Sequence, residues 1–264
     1  MKLILDKVCV DYKQYRAVDG MSFEMNAGEV VSIVGPNGSG KSTIIKSIAR
    51  ILKPSSGGIF IGNRNVLAMS LREAALLMSY VPQNLPDSYN STVADAVLLG
   101  RRPHIDWNVS MKDLEAVDSA LARMGIKELA KKVMGQLSGG ERQRVYIARA
   151  LAQDPGIFLF DEPTNNLDLK NQLETLETVR ELAMERRSMI LIALHDLNLA
   201  YNYSDRVVML NKGRLYAFGK PQDVLTAKNI TDVYGVNVSI IDSGGGKYIV
   251  PIKNTARASS KALA

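Results

Sequence analysis

A glycine-rich segment near the start of the chain has the residue types needed to bind phosphate. The segment Gly35-Pro36-Asn37-Gly38-Ser39-Gly40-Lys41-Ser42-Thr43 follows the apolar run Val30 to Val34 and precedes apolar residues at helical spacing. Its glycines allow successive backbone N–H groups to surround phosphate oxygens, and the helix N-terminus adds its positive end. Lys41 is expected to reach the β- and γ-phosphates, and the Ser42 hydroxyl to bind Mg²⁺. We therefore predict a binding loop for a nucleoside triphosphate.

Two adjacent acids, Asp161 and Glu162, follow the apolar run Ile157 to Phe160. If this run is a strand of an α/β sheet, both carboxylates emerge at the edge where such folds bind ligands. Asp161 is then expected to interact with Mg²⁺, directly or through a second shell. Glu162 is expected to be the general base that polarises an attacking water. The alternative is a helix-capping or surface pair of acids, which is common after strands.

His195 and Gln83 each follow another apolar run. His195 comes directly after Met189 to Leu194, and a neutral imidazole there could contact the γ-phosphate and hold Glu162 and water in line. Gln83 comes after Met78 to Val81 and Pro82, and its side-chain oxygen could sense Mg²⁺ or the attacking water. Taken alone, either side chain could instead be an ordinary polar residue at the end of a strand.

A second helix start with anion-binding character lies about a hundred residues after the first. Ser138, Gly139 and Gly140 precede a helical pattern from Glu141 to Gln153. Taken alone, this is an N-cap with exposed amides. One nucleotide cannot readily use both helix starts of the same subunit. We therefore predict a head-to-tail pair of chains in which each Ser138 helix caps the γ-phosphate bound by the other, so that ATP is part of an isologous interface.

The elements that position these residues alternate between strand and helix patterns, which is typical of an α/β fold. From about Pro86 to Gly135 the sequence has helical patterns and little strand propensity. Together with the helix after Ser138, this predicts a helical subdomain of about residues 86–153. Two short strand patterns around residues 238–250 flank a glycine-rich turn and predict a hairpin, and residues 255–264 read as a loose polar tail.

Composition restricts the class of protein. The chain has 264 residues, 46% of them hydrophobic, which is enough for a large core in one big domain or two. Its one cysteine, Cys9, excludes an internal disulfide. No apolar run approaches the roughly 18–20 residues that span a bilayer, and Asp6 and Lys7 interrupt any secretory signal. The net charge is +6, but the basic residues are scattered, so we expect solvated faces and no nucleic-acid partner.

With these motifs the chain resembles the nucleotide-binding subunit of ATP-binding-cassette (ABC) transporters, up to about Val236. The resemblance implies a P-loop NTPase of ABC type, an α/β fold with a RecA-like core, an antiparallel β subdomain and a helical insertion. Residues 1–236 would form the nucleotide-binding domain, and residues 237–264 a short hairpin and tail. ATP and Mg²⁺ are the implied ligands, and the implied activity is ATP hydrolysis coupled to transport.

The resemblance also implies a role for each motif. Tyr12 would stack on adenine, although Tyr15 competes for that role. The D-loop has two asparagines where small residues are commoner. The implied assignments are Walker A at Gly35 to Thr43, the Q-loop at Gln83, the signature at Leu137 to Gln143, Walker B at Ile157 to Asp161 with Glu162 catalytic, the D-loop at Asn165-Asn166-Leu167-Asp168, and the H-loop at His195.

The segment from Thr92 to Trp107 is similar to that of the subgroup serving iron(III)-siderophore, haem and cobalamin importers. The implied partners are multi-span permease subunits, contacted near Gln83 and Arg101-Arg102-Pro103-His104, and indirectly an external substrate-binding protein. The location would then be peripheral, on the cytoplasmic face of the cell membrane. The alternative for Arg101, Arg102 and His104 is a solvated turn.

Other members of the superfamily remain as alternatives. A soluble ABC ATPase acting on DNA or ribosomes would usually carry long heptad coiled coils or two cassettes in one chain, and this sequence has neither. Importers of molybdate or other oxyanions share part of the subgroup signal, and some exporters use a separate ATPase. Because cargo contacts lie in other subunits, the sequence does not name the cargo.

Overall fold

The computed structural model describes residues 1–13, 15–83, 90–165, 167–244 and 246–252. Strands and helices alternate through most of this range. The strands are β1 (Lys2–Tyr12), β2 (Tyr15–Asn26), β3 (Val30–Val34), β4 (Ser56–Ile61), β5 (Arg64–Asn65), β6 (Met78–Val81), β7 (Ile157–Asp161), β8 (Met189–Ala193), β9 (Arg206–Asn211), β10 (Arg214–Gly219), β11 (Val238–Asp242) and β12 (Lys247–Pro251). The helices are α1 (Lys41–Ile48), α2 (Leu71–Leu77), α3 (Val93–Leu98), α4 (Met111–Arg123), α5 (Gly139–Gln153), α6 (Leu169–Arg186), α7 (Leu197–Tyr203), α8 (Pro221–Val224) and α9 (Ala227–Tyr234).

A six-stranded sheet carries the chemistry. Its strand order is β10-β9-β3-β8-β7-β6, with parallel pairing from β9 to β6 and β10 antiparallel to β9. The central strands β3, β7 and β8 are buried along their whole length, as expected for apolar parallel strands covered on both faces. Because these strands run parallel, the segments that follow β3, β6, β7 and β8 reach the same edge of the sheet.

The two faces of this sheet pack into two cores. Alternate residues of a strand point to opposite faces, so Ile157 and Leu159 of β7 join one core while Phe158 and Phe160 join the other. The first core lies against α1 and a four-stranded antiparallel sheet of order β2-β1-β4-β5. The second lies against α5, α6 and the helical insertion. This arrangement confirms the predicted fold class, with its antiparallel β subdomain and helical insertion.

The helices of the insertion begin with reciprocal hydrogen bonds between side chain and backbone. Thr92 and Asp95 start α3, Ser110 and Asp113 start α4, and Ser138 and Glu141 start α5, each pair forming a capping box. These local signals fix where each helix starts. The predicted beginning of the insertion at Pro86 lies outside the described residues.

The C-terminal strands β11 and β12 pair with each other, with Ile240 opposite Ile249. Ile249 is buried in the second core, and its backbone N–H donates to Asn198 Oδ1 of α7 over 2.6 Å. The pair of strands therefore packs against the second core and α7. The predicted tail of residues 255–264 lies outside the described residues. Across the described ranges, no helix combines the length and apolar character needed to cross a membrane.

Candidate nucleotide-binding site

An open cavity of about 480 Å³ lies at the edge of the sheet where the strand ends meet. It brings together most of the residues that the sequence singled out. Gly35, Pro36 and Asp161 do not line the cavity and lie directly behind it, in contact with residues that do. The lining residues are Tyr12, Tyr15, Ala17, Asn37, Gly38, Ser39, Gly40, Lys41, Ser42, Thr43, Gln83, Glu162 and His195.

The loop between β3 and α1 has a backbone that only glycine accommodates at its first position. Gly35 has φ of +154°, and a Cβ there would lie 2.5 Å from Ser39 Oγ and 2.6 Å from Leu210 O. Ser39 Oγ itself is buried and has no hydrogen-bond partner among the described residues. A buried hydroxyl of this kind needs a partner, and a phosphate oxygen would supply one. The loop therefore fits a bound phosphate.

Lys41 places a buried cation in the same loop. Its side chain is 5% exposed, and Nζ donates to Gly35 O over 2.9 Å and to Pro36 O over 3.4 Å. Nζ also lies 3.9 Å from Glu162 Oε1. Burial lowers the pKa of Lys41, and the neighbouring Glu162 and Asp161 carboxylates oppose that change. An additional negative group in the cavity would further stabilise the ammonium.

Asp161 receives a hydrogen bond on each carboxylate oxygen. Ser42 Oγ donates to Oδ1 over 2.7 Å, and the Tyr80 hydroxyl donates to Oδ2 over 3.4 Å. Burial raises the pKa of Asp161, and burial also raises that of Tyr80. A hydroxyl next to a carboxylate offers the oxygen ligands that Mg²⁺ prefers. Tyr80 was not among the predicted site residues, although its position on β6, three residues before Gln83, places it beside β7.

The carboxylate of Glu162 is surrounded by nitrogen atoms of three side chains. Its side chain is 5% exposed, and His195 Nε2 lies 2.5 Å from Oε1. Gln83 Nε2 donates to Oε2, and Asn165 Nδ2 donates to the same oxygen over 2.7 Å. The contact with His195 follows from the pairing of β7 with β8, in which Asp161 is opposite Ala193. The sequence predicted that His195 holds Glu162 in line, and it gave Gln83 a role toward Mg²⁺ or the attacking water. It assigned no contact with Glu162 to Gln83 or Asn165.

The residues predicted to act in a second chain do not line the cavity. Ser138, Gly139 and Gly140 start α5, and none of them lines the cavity. Gln143 is 4% exposed, and its Nε2 has no hydrogen-bond partner within the described ranges. Asp168 caps α6 by accepting from Asn171 N over 2.8 Å. Their action across an interface stays a prediction, and Asn166 of the predicted D-loop lies outside the described residues.

The turn that contains Arg101 and His104 is used inside the chain. Arg101 Nη1 donates to Ala152 O over 2.9 Å, and its Nε lies 2.9 Å from Asp113 Oδ1. His104 Nε2 lies 2.8 Å from Gln153 O. Both side chains thus bond to carbonyls at the end of α5, so the turn is not simply solvated. Its contact with a partner stays a prediction.

The surface beside this turn is more open. Arg102 and Leu99 line a cavity of about 410 Å³ together with Trp107, whose side chain is 95% exposed. Arg102, Leu99 and Trp107 are therefore more exposed than Arg101 and His104.

Comparison with known proteins agrees with this geometry. A family model described as ABC transporter matches residues 18–165, more than half of the chain. An ABC transporter ATP-binding protein of Methanocaldococcus jannaschii is 45% identical over 252 residues, covering 96% of this chain and 98% of the relative. The petrobactin import ATP-binding protein of Bacillus anthracis is 39% identical, covering 89% of this chain and 86% of the relative. The ferric enterobactin transport ATP-binding protein of Escherichia coli is 34% identical, covering 95% and 94%.

Two solved structures extend the comparison to the fold. One is described as an inward-facing conformation of a metal-chelate type ABC transporter, with a TM-score of 0.83 and 27% identity over 96% of this chain and 98% of that one. The other is a dimeric ATP-binding cassette in a post-hydrolysis state with ADP and Pi, with a TM-score of 0.76 and 28% identity over 83% and 98%. Together with the geometry of the site, these similarities show that the chain belongs to the ABC transporter family and is one of its ATP-binding subunits.

Proposed function

We propose that this chain hydrolyses ATP to drive the import of a metal chelate, of the iron-siderophore, haem or cobalamin class, through a separate permease. The observation that carries the proposal is the meeting of Lys41, the Ser42–Asp161 pair and the Glu162–His195 pair at one cavity. The cargo class is supported by similarity to the petrobactin and ferric enterobactin transport proteins.

In this proposal the phosphates of ATP bind to the loop of residues 35–43, and the adenine stacks on Tyr12 or Tyr15. Both tyrosines line the cavity and are partly exposed, at 45% and 60%, so each ring has a free face. Ser42, Asp161 and Gln83 would hold Mg²⁺, which when bound neutralises charge on the phosphate oxygens. The buried hydroxyl of Ser39 would donate to a phosphate oxygen.

Hydrolysis then depends on residues that surround Glu162. Glu162 accepts a proton from the attacking water, and His195, 2.5 Å from Oε1, holds that oxygen in line with the γ-phosphate. Lys41 stabilises negative charge that develops on the phosphoryl oxygens, because it is a buried cation with few competing waters. Gln83 donates to the other Glu162 oxygen and would sense the nucleotide through it.

A second copy of the chain completes the site in this proposal. Ser138, Gly139 and Gly140 of each copy, supported by Gln143 and Asp168, would face the γ-phosphate held by the other copy. The similarity to a dimeric cassette with ADP and Pi supports such an arrangement. The pair would lie at the cytoplasmic face of the membrane against permease subunits, with the surface around Trp107 and Arg102 near them, and would serve a substrate-binding protein only indirectly.

The first test is the variant Glu162→Gln. Without its general base the chain should lose about 10²- to 10⁴-fold in ATP turnover while keeping its affinity for ATP. It should also accumulate as an ATP-bound dimer, measured by size-exclusion chromatography at saturating ATP. Glu115→Gln, a change at an exposed acid on α4, is the matched control and should leave turnover and dimerisation unchanged. A Glu162→Gln chain that stays monomeric at saturating ATP would contradict the shared site.

The cargo is tested separately, by purifying the tagged chain from native membranes. A many-span permease and a substrate-binding protein with a bound metal chelate should accompany it. Recovery of ribosomes or nucleic acid would leave the ATPase chemistry intact and overturn the transport proposal. Recovery of a permease without an importer's binding protein would indicate export.

A further inference from the structure

Asn165 contacts the proposed general base from within the same turn. Its side-chain nitrogen Nδ2 lies 2.7 Å from Glu162 Oε2, and its backbone N–H donates to Glu162 O over 3.2 Å. The amide must present its nitrogen here, since its oxygen would face a carboxylate oxygen without a proton between them. The bond therefore joins a neutral donor to a charged acceptor, which is the stronger class of hydrogen bond.

The backbone at Glu162 needs such support. Glu162 has φ of +55°, in the left-handed region that non-glycine residues rarely adopt. A residue held there keeps its conformation only when its surroundings fix it. The turn from Glu162 to Asn165 is closed twice, once by the backbone bond and once by the side-chain bond. Asn165 thus fixes both the conformation of the turn and the direction of the carboxylate.

The two oxygens of Glu162 have different neighbours. Oε1 faces His195 and Lys41, the groups proposed to act on water and phosphate, whereas Oε2 faces Gln83 and Asn165. Gln83 follows a different strand, β6, so its contact depends on how β6 and β7 are placed relative to each other. Asn165 is three residues from Glu162 along the chain. It is therefore the local donor that keeps Oε2 occupied and leaves Oε1 directed at the cavity.

We propose that Asn165 is a positioning residue for ATP hydrolysis, acting through Glu162. The inference rests on the proposed function, because it needs Glu162 to be the general base. An alanine at this position could not replace the bond, since its side chain has no hydrogen-bond donor. Asn165 itself touches neither water nor phosphate in this role.

The test measures ATP turnover of the full-length chain with Asn165→Ala and Asn165→Asp. Losing one hydrogen bond to a charged group should lower kcat about 10- to 100-fold, with KM for ATP changed by no more than about twofold. Asn165→Asp keeps the shape but replaces the donor by a like charge, so it should lower kcat at least as much. Asn229→Ala is the matched control, because Asn229 Nδ2 donates to Val224 O over 2.8 Å, away from the cavity. It should leave kcat unchanged.

A double-mutant cycle with Glu162→Gln separates positioning from other roles. If Asn165 acts through Glu162, adding Asn165→Ala to Glu162→Gln should change the residual single-turnover rate by less than about twofold. The ATP-bound dimer of Glu162→Gln should persist in the double variant. A full loss in the double variant, a lost dimer or an unchanged kcat in Asn165→Ala would each overturn the inference. Absence of ATP hydrolysis by the wild-type chain would instead overturn the proposed function, and the inference with it.

Discussion

Two helix starts could bind phosphate, those of α1 and α5, and they differ in how their first backbone N–H groups are capped. Helix α1 begins after Gly40, at φ of +102°, with no side-chain cap among the described residues and no acid in its first turn. Helix α5 begins with a complete capping box, in which Glu141 N donates to Ser138 Oγ over 3.3 Å. Glu141 Oε2 in turn accepts from the Ser138 backbone N–H and from its hydroxyl, both over 2.8 Å.

Because of this difference, the start of α1 can accept a phosphate directly, whereas the start of α5 must first give up hydrogen bonds between Ser138 and Glu141. The start of α1 lines the cavity beside the buried Lys41, and its first turn has neither a side-chain cap nor an acid among the described residues, so an anion meets no capping carboxylate there. At α5 the Ser138 hydroxyl must leave Glu141 before it can bond to phosphate, and the Glu141 charge opposes an approaching anion. In the proposed dimer, helix α5 would therefore act on a phosphate already bound by the other chain rather than capture one alone.

The largest expected effect comes from removing the cation at the first site. Lys41→Ala leaves the loop without its buried ammonium, so ATP turnover should fall by about 10²-fold or more, and ATP affinity should fall with it. Turnover is measured by phosphate release, and affinity by titration with a fluorescent ATP analogue. The exposed Lys53, beyond the end of α1, supplies the control variant Lys53→Ala, which should behave as wild type. Unchanged affinity in Lys41→Ala would break the comparison, because the buried cation would then not be what makes the start of α1 bind nucleotide.

A smaller effect is expected at the second site. Ser138→Ala removes one partner of the capping box, which should lower the free energy of unfolding by about 0.5–2 kcal/mol. Affinity of the single chain for ATP should not change, but turnover should fall about tenfold, because the donor to the γ-phosphate of the other chain is lost. Unfolding is followed in urea, and turnover at chain concentrations that allow dimerisation.

Ser70→Ala is a closely matched control for this change. Ser70 and Glu73 form the same type of capping box at the start of α2, away from both candidate sites. It should show a similar loss of stability and full turnover. If the two variants lost turnover equally, the effect of Ser138→Ala would be one of stability, and α5 would have no special role.

The contrast also shows what the sequence alone could predict. Gly35 to Thr43 and Asp161 with Glu162 were predicted correctly as neighbours in space, because each follows a buried parallel strand whose position a βαβ pattern determines. His195 and Gln83 were placed by the same reasoning. Parallel strands bring their carboxyl ends to one edge whatever the intervening helices do, so these contacts depend little on detailed packing.

Contacts that do not follow from the parallel order of the strands were less predictable. Arg101 and His104 bond to carbonyls at the end of α5, a contact that the sequence did not predict. Nothing in the spacing of residues 101–104 reveals the distance to residues 152 and 153. The contacts of Tyr80 with Asp161 and of Asn165 with Glu162 were not predicted for a different reason, although Asn165 was assigned to the D-loop. Both residues precede or follow a motif residue by three positions, a signal that becomes meaningful only when the strand order is known.

The smallest expected effect is a gain: a change at the start of α5 that should strengthen dimerisation rather than weaken it. Glu141→Gln keeps a side chain that can complete the capping box. It removes the negative charge at the start of α5, and the first turn of α1 has no such charge. In a Glu162→Gln background, ATP-dependent dimerisation should become about two- to fivefold tighter at low salt, and less so at high salt. Glu73→Gln, the same change at α2, should leave dimerisation unaltered. Weaker dimerisation in Glu141→Gln would mean that the Glu141 carboxylate contributes to the interface itself.

The pH dependence of the free energy of unfolding tests whether the Glu141 carboxylate stabilises the single chain through its hydrogen bonds with Ser138. Hydrogen bonds from the Ser138 backbone N–H and hydroxyl hold the pKa of Glu141 below its ordinary value of 4.5. A carboxylate whose pKa is lower in the folded chain stabilises the fold at pH above that ordinary value, and the contribution disappears as the pH falls through the lowered pKa. Urea unfolding should therefore show wild type more stable than Glu141→Gln at neutral pH, with a difference that shrinks below about pH 4. A difference independent of pH would mean that shape rather than charge distinguishes the start of α5 from that of α1.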